Sequence, residues 1–333
     1  MNDAAGLIRA ARLSDRQALV ELSRQVHDAA EGFRRSLGVP ARSAAPPRFS
    51  LAALMPSWLP LRPPSVHLVA EQDGRLVGSC RAIEEPHRDD WVITELDAAE
   101  SPMAGEVRYA LLRAVIEEGA QRNVARYHAA CADVPENMAL FGQLDFMAYA
   151  HEEIWYRPPG GSAADPGATR EALHPVAPAD AWHLFDLWTH ATPPAIARLE
   201  AYGAGDWEPV GHEGVVPRSS LNPLLRFSSV SGWLLPDGQR AAGFAQHGAC
   251  RAGPHYLRFL VRDGADGAAF LETVLAAAGA EARSAGILAP VRTYEAGGRV
   301  AAADAGFEAV GEVSVLVREV RAMARQPAMV PAV

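Results

Sequence analysis

Apolar positions along this chain recur with two periods, and their succession predicts a mixed α/β fold. Residues 7–11 alternate like a strand, and residues 14–29 carry apolar side chains at helical spacing that continue to Leu37. A Pro-rich excursion fills 38–64. Alternating runs at 66–71 and 76–83 flank Asp73-Gly74, a pair that tolerates the left-handed backbone of a tight hairpin. Residues 91–97 alternate, 106–121 return to the helical period, and 126–132, 136–144 and 147–157 read strand, helix, strand. The order is βα, three strands, then αβαβ, a mixed sheet with helices on its faces.

The plan then runs again. "ARLSDRQALVELSR" opens the first half and "HPVAPADAWHLFDLW" the second, each a strand, a capping signal and an amphipathic helix. Asp15 aligns with Asp180, Asp73-Gly74 with Asp237-Gly238, Gly78 with Gly243, Phe146 with Phe307 and Arg157 with Arg318, in the same order and at nearly constant spacing. This is the signature of an internal duplication. Between the copies lies "PPGGSAADPGAT", rich in Pro, Gly and Ala and without periodicity. The expected division is 1–157, a linker at 158–170, a second domain at 171–320 and a tail at 321–333. The second copy carries a longer excursion at 189–231.

Composition narrows the function. The 333 residues carry a net charge of −9, and every basic residue is Arg. Nucleic-acid binders draw affinity from basic residues against phosphates, so nucleic acid is not an expected partner. Without Lys, no Schiff base or lysine base is available. The 3 Cys are scattered, which argues against a disulfide framework or a zinc site. No basic run precedes an apolar core at the N-terminus, and no apolar run is long enough to span a bilayer, so a cytoplasmic protein without membrane contact is expected. The His residues lack paired spacing; His183 and His190 lie two turns apart with no matching carboxylates, and no metal is proposed. Trp58, Trp188, Trp207 and Trp233 fall in or beside the excursions, where groove walls and core packing are both open readings.

Three stretches resemble the GNAT superfamily of acyl-CoA-dependent N-acyltransferases, in tandem form. Asp15 after "ARLS" looks like the family's opening motif. "ELDAAESPMAGEVRYALL", residues 95–112, has the length of its strand, pyrophosphate loop and helix. "PENMALFGQLDF" is similar to its closing motif, where an Asn precedes an apolar helix and a Gly-Phe. The resemblance implies two GNAT-like domains, each a mostly antiparallel twisted sheet flanked by helices. It implies acetyl-CoA or another acyl-CoA as co-substrate and an amine of a small molecule or peptide as acceptor. The implied cofactor contacts are Leu96, Ala98, Met103, Ala104, Gly105, Glu106, Val107, Arg108, Asn137 and Phe141. The implied base is Glu95 or Asp97, which share one face of their strand; solvated residues at a strand end are the competing reading.

The chain departs from the family pattern. The loop glycines are expected at Ala104, Glu106 and Arg108, and only Gly105 stands near. Glycines let a backbone approach an anion closely, whereas Glu106 brings negative charge, unless it points outward as a first-turn carboxylate. Arg108 could pair with a phosphate. The family's acid, a Tyr four residues after Asn137, is replaced by Phe141, and Asn137 could equally serve its own helix. In the second half the Asn and Tyr positions are Gly298 and Ala302. Its loop offers Arg262, Gly264 and Gly267 but also Asp263 and Asp266, the latter a candidate helix cap. That half is expected to be non-catalytic, completing the fold, walling a groove or mediating dimerisation. The alternative for the whole chain is a GNAT-fold protein that binds CoA or another small ligand without transferring anything.

Overall fold

A computed structural model describes residues 6–23, 65–85, 88–160, 173–208, 218–221, 227–250 and 253–320. The first excursion with Trp58, the helix continuation to Leu37, most of the linker and the tail lie outside these residues.

The first half runs β1 (Leu7–Ala10), α1 (16–23), β2 (Ser65–Gln72), β3 (Arg75–Glu84), β4 (Asp90–Ala98), α2 (Ala104–Ala120), β5 (Arg126–Cys131), α3 (Pro135–Gly142) and β6 (Met147–Arg157). The second runs β7 (His174–Pro175), α4 (Ala181–Ala191), α5 (Pro194–Glu200), β8 (Phe227–Asp237), β9 (Arg240–Cys250), β10 (His255–Val261), α6 (Gly267–Ala285), β11 (Ile287–Arg292), α7 (Ala296–Asp304) and β12 (Glu308–Glu319). The predicted order of elements is present twice. Both entry turns close alike: Asp15 accepts the Arg12 N–H at 2.6 Å, and Asp180 accepts the Ala177 N–H at 2.8 Å. At the first hairpin Asp73 and Gly74 both take positive φ, 51° and 74°, as the tight turn requires.

Among the described residues, all twelve strands form one sheet, in the order β1-β2-β3-β4-β5-β12-β6-β11-β10-β9-β8-β7. The last strand of each half has crossed over. β12 pairs with β5 of the first half, β6 pairs with β11 of the second, and β6 and β12 pair antiparallel between them. The halves follow one another in sequence, while in space their closing strands are exchanged.

Period-two alternation sorts each strand's side chains between two faces. On one face Ala82, Trp91, Ile93, Tyr127 and Ala129 pack under α2 with Leu111, Leu112 and Val115, and Leu316 of β12 joins the same cluster. Leu257, Phe259, Ala289 and Val291 pack likewise under α6 with Phe270 and Val274. The opposite face of the second half is covered by α4 and Trp207. Trp188 and Trp207 are therefore core residues, and Trp233 packs against the α6 cluster.

Candidate active site

β4 and β5 are parallel but pair only at Asp90↔Arg126, Trp91↔Tyr127 and Val92↔His128. Beyond Val92 they part. A bulge accompanies the parting: Ala82 pairs with Ile93 and Arg81 with Glu95, leaving Thr94 unopposed. A bulge bends and twists its strand, which here turns the end of β4 away from β5. It also resets the alternation. Leu96 and Ala98 pack toward the α2 core, so Glu95 and Asp97 fall on the opposite face. Their register partners on β3 are Arg81 and Ser79. Glu95, 39% exposed, lies 3.6 Å from the Arg81 guanidinium.

A five-residue loop, 99–103, leads from β4 into α2. The Ala104 N–H is taken by the Ser101 carbonyl and that of Val107 by Met103. The N–H groups of Gly105 and Glu106 have no acceptor among the described residues, and no side chain caps the helix at Met103. A Cβ added to Gly105 would meet nothing within 4 Å. The helix start is thus open, with two donors and the positive end of its dipole facing solvent, the requirement for holding a pyrophosphate. Glu106 is exposed, and the Arg108 Nε is buried without a partner among the described residues.

The remaining predicted positions divide. Leu96 and Ala98 can offer only backbone to the cleft. Val107 is buried beneath α2 with its N–H already used, and Phe141 is buried edge-to-face on Phe146 with centroids 5.2 Å apart. Val107 packs α2 against Gly78 of β3, and Phe141 anchors the short α3 to the turn after it, so both side chains belong to the core. Asn137 donates from Nδ2 to the Ala132 carbonyl at 3.1 Å, tying α3 to the end of β5. This is neither a helix cap nor a free amide.

The second cleft has the same plan and different contents. Gly78 sits opposite Ala98 and Gly243 opposite Val261, which aligns the ends of β4 and β10. Counting back, Glu95 corresponds to Arg258, Asp97 to Leu260 and Arg81 to Gln246. β10 and β11 pair only at His255↔Ile287 and Tyr256↔Leu288 before separating, and β10 has no bulge against β9. The Arg258 guanidinium forks onto Glu295, the residue just before α7, with Nη1 3.0 Å from Oε2. Nη1 also donates to the Phe259 carbonyl at 2.7 Å, and Glu295 accepts the Arg292 N–H at 3.1 Å. Burial alone would favour loss of the Arg258 charge; the Glu295 carboxylate outweighs it and raises the pKa. Asp266 accepts the Ala269 N–H at 3.0 Å, capping α6 as expected. A Cβ on Gly267 would lie 2.6 Å from the Ala301 Cβ, so the first turn of α6 touches α7.

Sequence reading missed a third feature, a buried polar seam on the face opposite α2 and α6. Arg218 forks onto Glu85 and lies 3.7 Å from Asp90; Asp90 also takes Arg88 and Arg126, each at 2.9 Å. Arg292 reaches Glu200 at 3.3 Å and Glu152 at 3.2 Å, and the Tyr149 hydroxyl donates to Glu200 at 3.1 Å. Burial, reinforced by Arg218, holds His128 down to about 4. Burial works against ionised Asp90, but His128, Arg126 and Arg88 prevail and keep its pKa low. Apart from Arg88 and Asp90, the partners lie tens of residues apart or more, and no local pattern announces them.

A mixed sheet whose parallel strands part beside a helix N-terminus, built twice in one chain, is the tandem GNAT fold. In structure the chain is similar to a tandem GNAT protein from the clavulanic acid biosynthesis pathway, with TM-score 0.53, 13% identity, and 94% of this chain and 98% of that one covered. It is likewise similar to a GCN5-related N-acetyltransferase from Sphaerobacter thermophilus, with TM-score 0.54, 14% identity, and coverage of 94% and 95%. The sequence matches no family model and no curated protein. Likeness at this identity carries the fold, not the chemistry. Among the described residues no helix is long and apolar enough to cross a membrane, and no group of three or more His, Cys, Asp or Glu could hold a metal ion.

Proposed function

We propose that the first half is an acyl-CoA-dependent N-acyltransferase acting on an amine of a small molecule or peptide. The observation that carries this is the opened β4–β5 cleft, running onto an uncapped α2 start with free donors at Gly105 and Glu106. Such a start fits a pyrophosphate, with Arg108 within the same first turns. The parted strands leave backbone groups for an extended arm to pair with, as an added strand would. Bound acyl-CoA supplies an activated acyl thioester, and acetyl is the simplest such group.

Glu95 and Asp97 lie beyond the bulge on the face away from α2. An amine attacking from that face must shed a proton, and a carboxylate within hydrogen-bond reach accepts it. The Arg81 guanidinium lies 3.6 Å from the Glu95 carboxylate on that same face. Phe141 cannot protonate a leaving thiolate; a thiol leaves readily enough for water to do so.

Phe141 also supports a second reading, a cytoplasmic GNAT-fold protein that holds CoA or another small ligand without transferring anything. Titrating acetyl-CoA into the full chain and assaying thiol release against a panel of amines separates the two. Binding with release lost in Glu95→Gln or Asp97→Asn supports the enzyme. Binding without release from any amine favours the second reading, and no heat or thermal shift at millimolar acetyl-CoA removes both CoA readings.

A further inference from the structure

The second cleft differs from the first at three successive places. Where the first half has Glu95 near Arg81, the second has Arg258, 1% exposed, bridging from β10 to Glu295 at the start of α7. The bridge crosses the gap left where β10 and β11 separate and occupies the Phe259 carbonyl, which lies beyond their last pairing. In the first half the residue before α3 is Val134, which can bridge nothing. The second place is the helix start, where Asp266 takes the Ala269 N–H while those of Gly267 and Ala268 have no acceptor among the described residues. The third is the Gly267–Ala301 contact, which brings α6 and α7 together where an entering arm would pass. A pocket of 390 Å³ lies at that contact, lined by Gly267 and Ala301 themselves, and its charged lining residues are Asp266 and Asp304, both repulsive to a phosphate.

We infer that the second half is a self-filled cleft, in which the Arg258–Glu295 pair takes the space and the backbone partners of a cofactor arm, so that one chain takes up a single equivalent of acyl-CoA. Only the number one rests on the proposed function of the first half; the closure stands on the pair itself. An ion pair this deeply buried is destabilised severely when one partner goes, because the other charge is left without compensation. The exposed Glu95 has no such dependence.

The test uses the full chain in two arms. Calorimetry with acetyl-CoA, read alongside amide exchange, should give one site, with protection across 99–108 and none across 259–269 or 295–301. Two equivalents, or protection in the second segments, overturns the inference. In the second arm Glu295→Gln should lower Tm by about 5–10 °C, while Glu95→Gln leaves it within about a degree. Should Glu295→Gln fail to fold, the double variant Arg258→Met/Glu295→Gln, which removes both charges, should recover a folded protein. An unchanged Tm in Glu295→Gln, or a double variant no better than the single, overturns the closure. If neither half binds CoA, the acyltransferase reading falls, and the melting data still decide whether the second cleft is sealed.

Discussion

The two clefts began from one plan and now differ in what fills them. In the first, a bulge at Thr94 splays β4, two carboxylates emerge on the far face, and the helix start keeps its donors. In the second, β10 stays regular, an arginine replaces a carboxylate, and an aspartate caps the helix. Backbone topology survives duplication easily because it is set by alternation and core packing. Chemistry at the cleft mouth depends on a few side chains and is readily lost. Parted strands leave polar groups that need partners, water where the cleft is open and side chains where it is filled. The Arg258–Glu295 pair supplies them.

The sharpest way to break the comparison is to separate the halves. The first half's core includes Leu316, and the edge of β5 is covered by β12. Expressed alone, residues 1–157 should lose cooperative folding, and joint expression with 158–333 should restore it; the measurement is a far-UV CD melt. A cooperative melt from 1–157 alone would show that the exchanged strand is dispensable. Next in size is catalysis. Glu95→Gln or Asp97→Asn, whichever is the base, should lower kcat by about 10²–10⁴-fold with acetyl-CoA affinity unchanged. Equal activity in both variants would remove the carboxylates from the mechanism.

Much of this was legible beforehand and some was not. Strand alternation located β2 to β6 to within a residue or two, and the repeat of Asp15 at Asp180 marked two copies of one fold. The face shared by Glu95 and Asp97 follows from period two alone. The bulge was invisible, because one extra residue in a strand leaves no mark in composition. Strand exchange was equally hidden: β6 and β12 carry the same alternation, and either satisfies β5. Phe141 could have been read as core, since it stands near the end of a short apolar helix with Phe146 just past the turn that follows. The seam around Arg218, Glu200 and Arg292 joins elements whose proximity only the folded sheet creates.

The seam and the buried histidines give the next test, against pH. His67 and His128 in the first half and His247 in the second each hold a pKa of about 4, against an ordinary 6.5, chiefly through burial. A neutral buried imidazole binds fewer protons folded than unfolded, so its contribution is complete above pH 6.5 and is lost as pH falls toward 4. Asp90 and Glu85, whose pKa values are also lowered, act in the same direction at still lower pH. Tm should therefore fall steadily between pH 6.5 and 4, and His128→Asn should flatten the curve. A flat wild-type profile would mean that these rings are not held neutral by the fold.

The smallest effect is the most direct comparison of the two helix starts. Gly105 lies in the first turn of α2 with free space around it, and Gly267 opens α6 against Ala301. Gly105→Ala adds a methyl to open solvent and removes glycine's backbone entropy cost, so it should stabilise by about 0.5–1 kcal/mol. The same change at Gly267 places a Cβ 2.6 Å from the Ala301 Cβ, where backbone-anchored methyls have no freedom to retreat. It should destabilise by about 1–3 kcal/mol through overpacking. If CoA sits at α2, Gly105→Ala should also weaken acetyl-CoA binding modestly, because the methyl crowds the donors, whereas Gly267→Ala should leave affinity unchanged. Opposite signs in chemical denaturation, with affinity responding only at position 105, would assign ligand access to one helix start and packing to the other. Equal signs would mean that the two starts are equally free, and the contrast between the clefts would then rest on the ion pair alone.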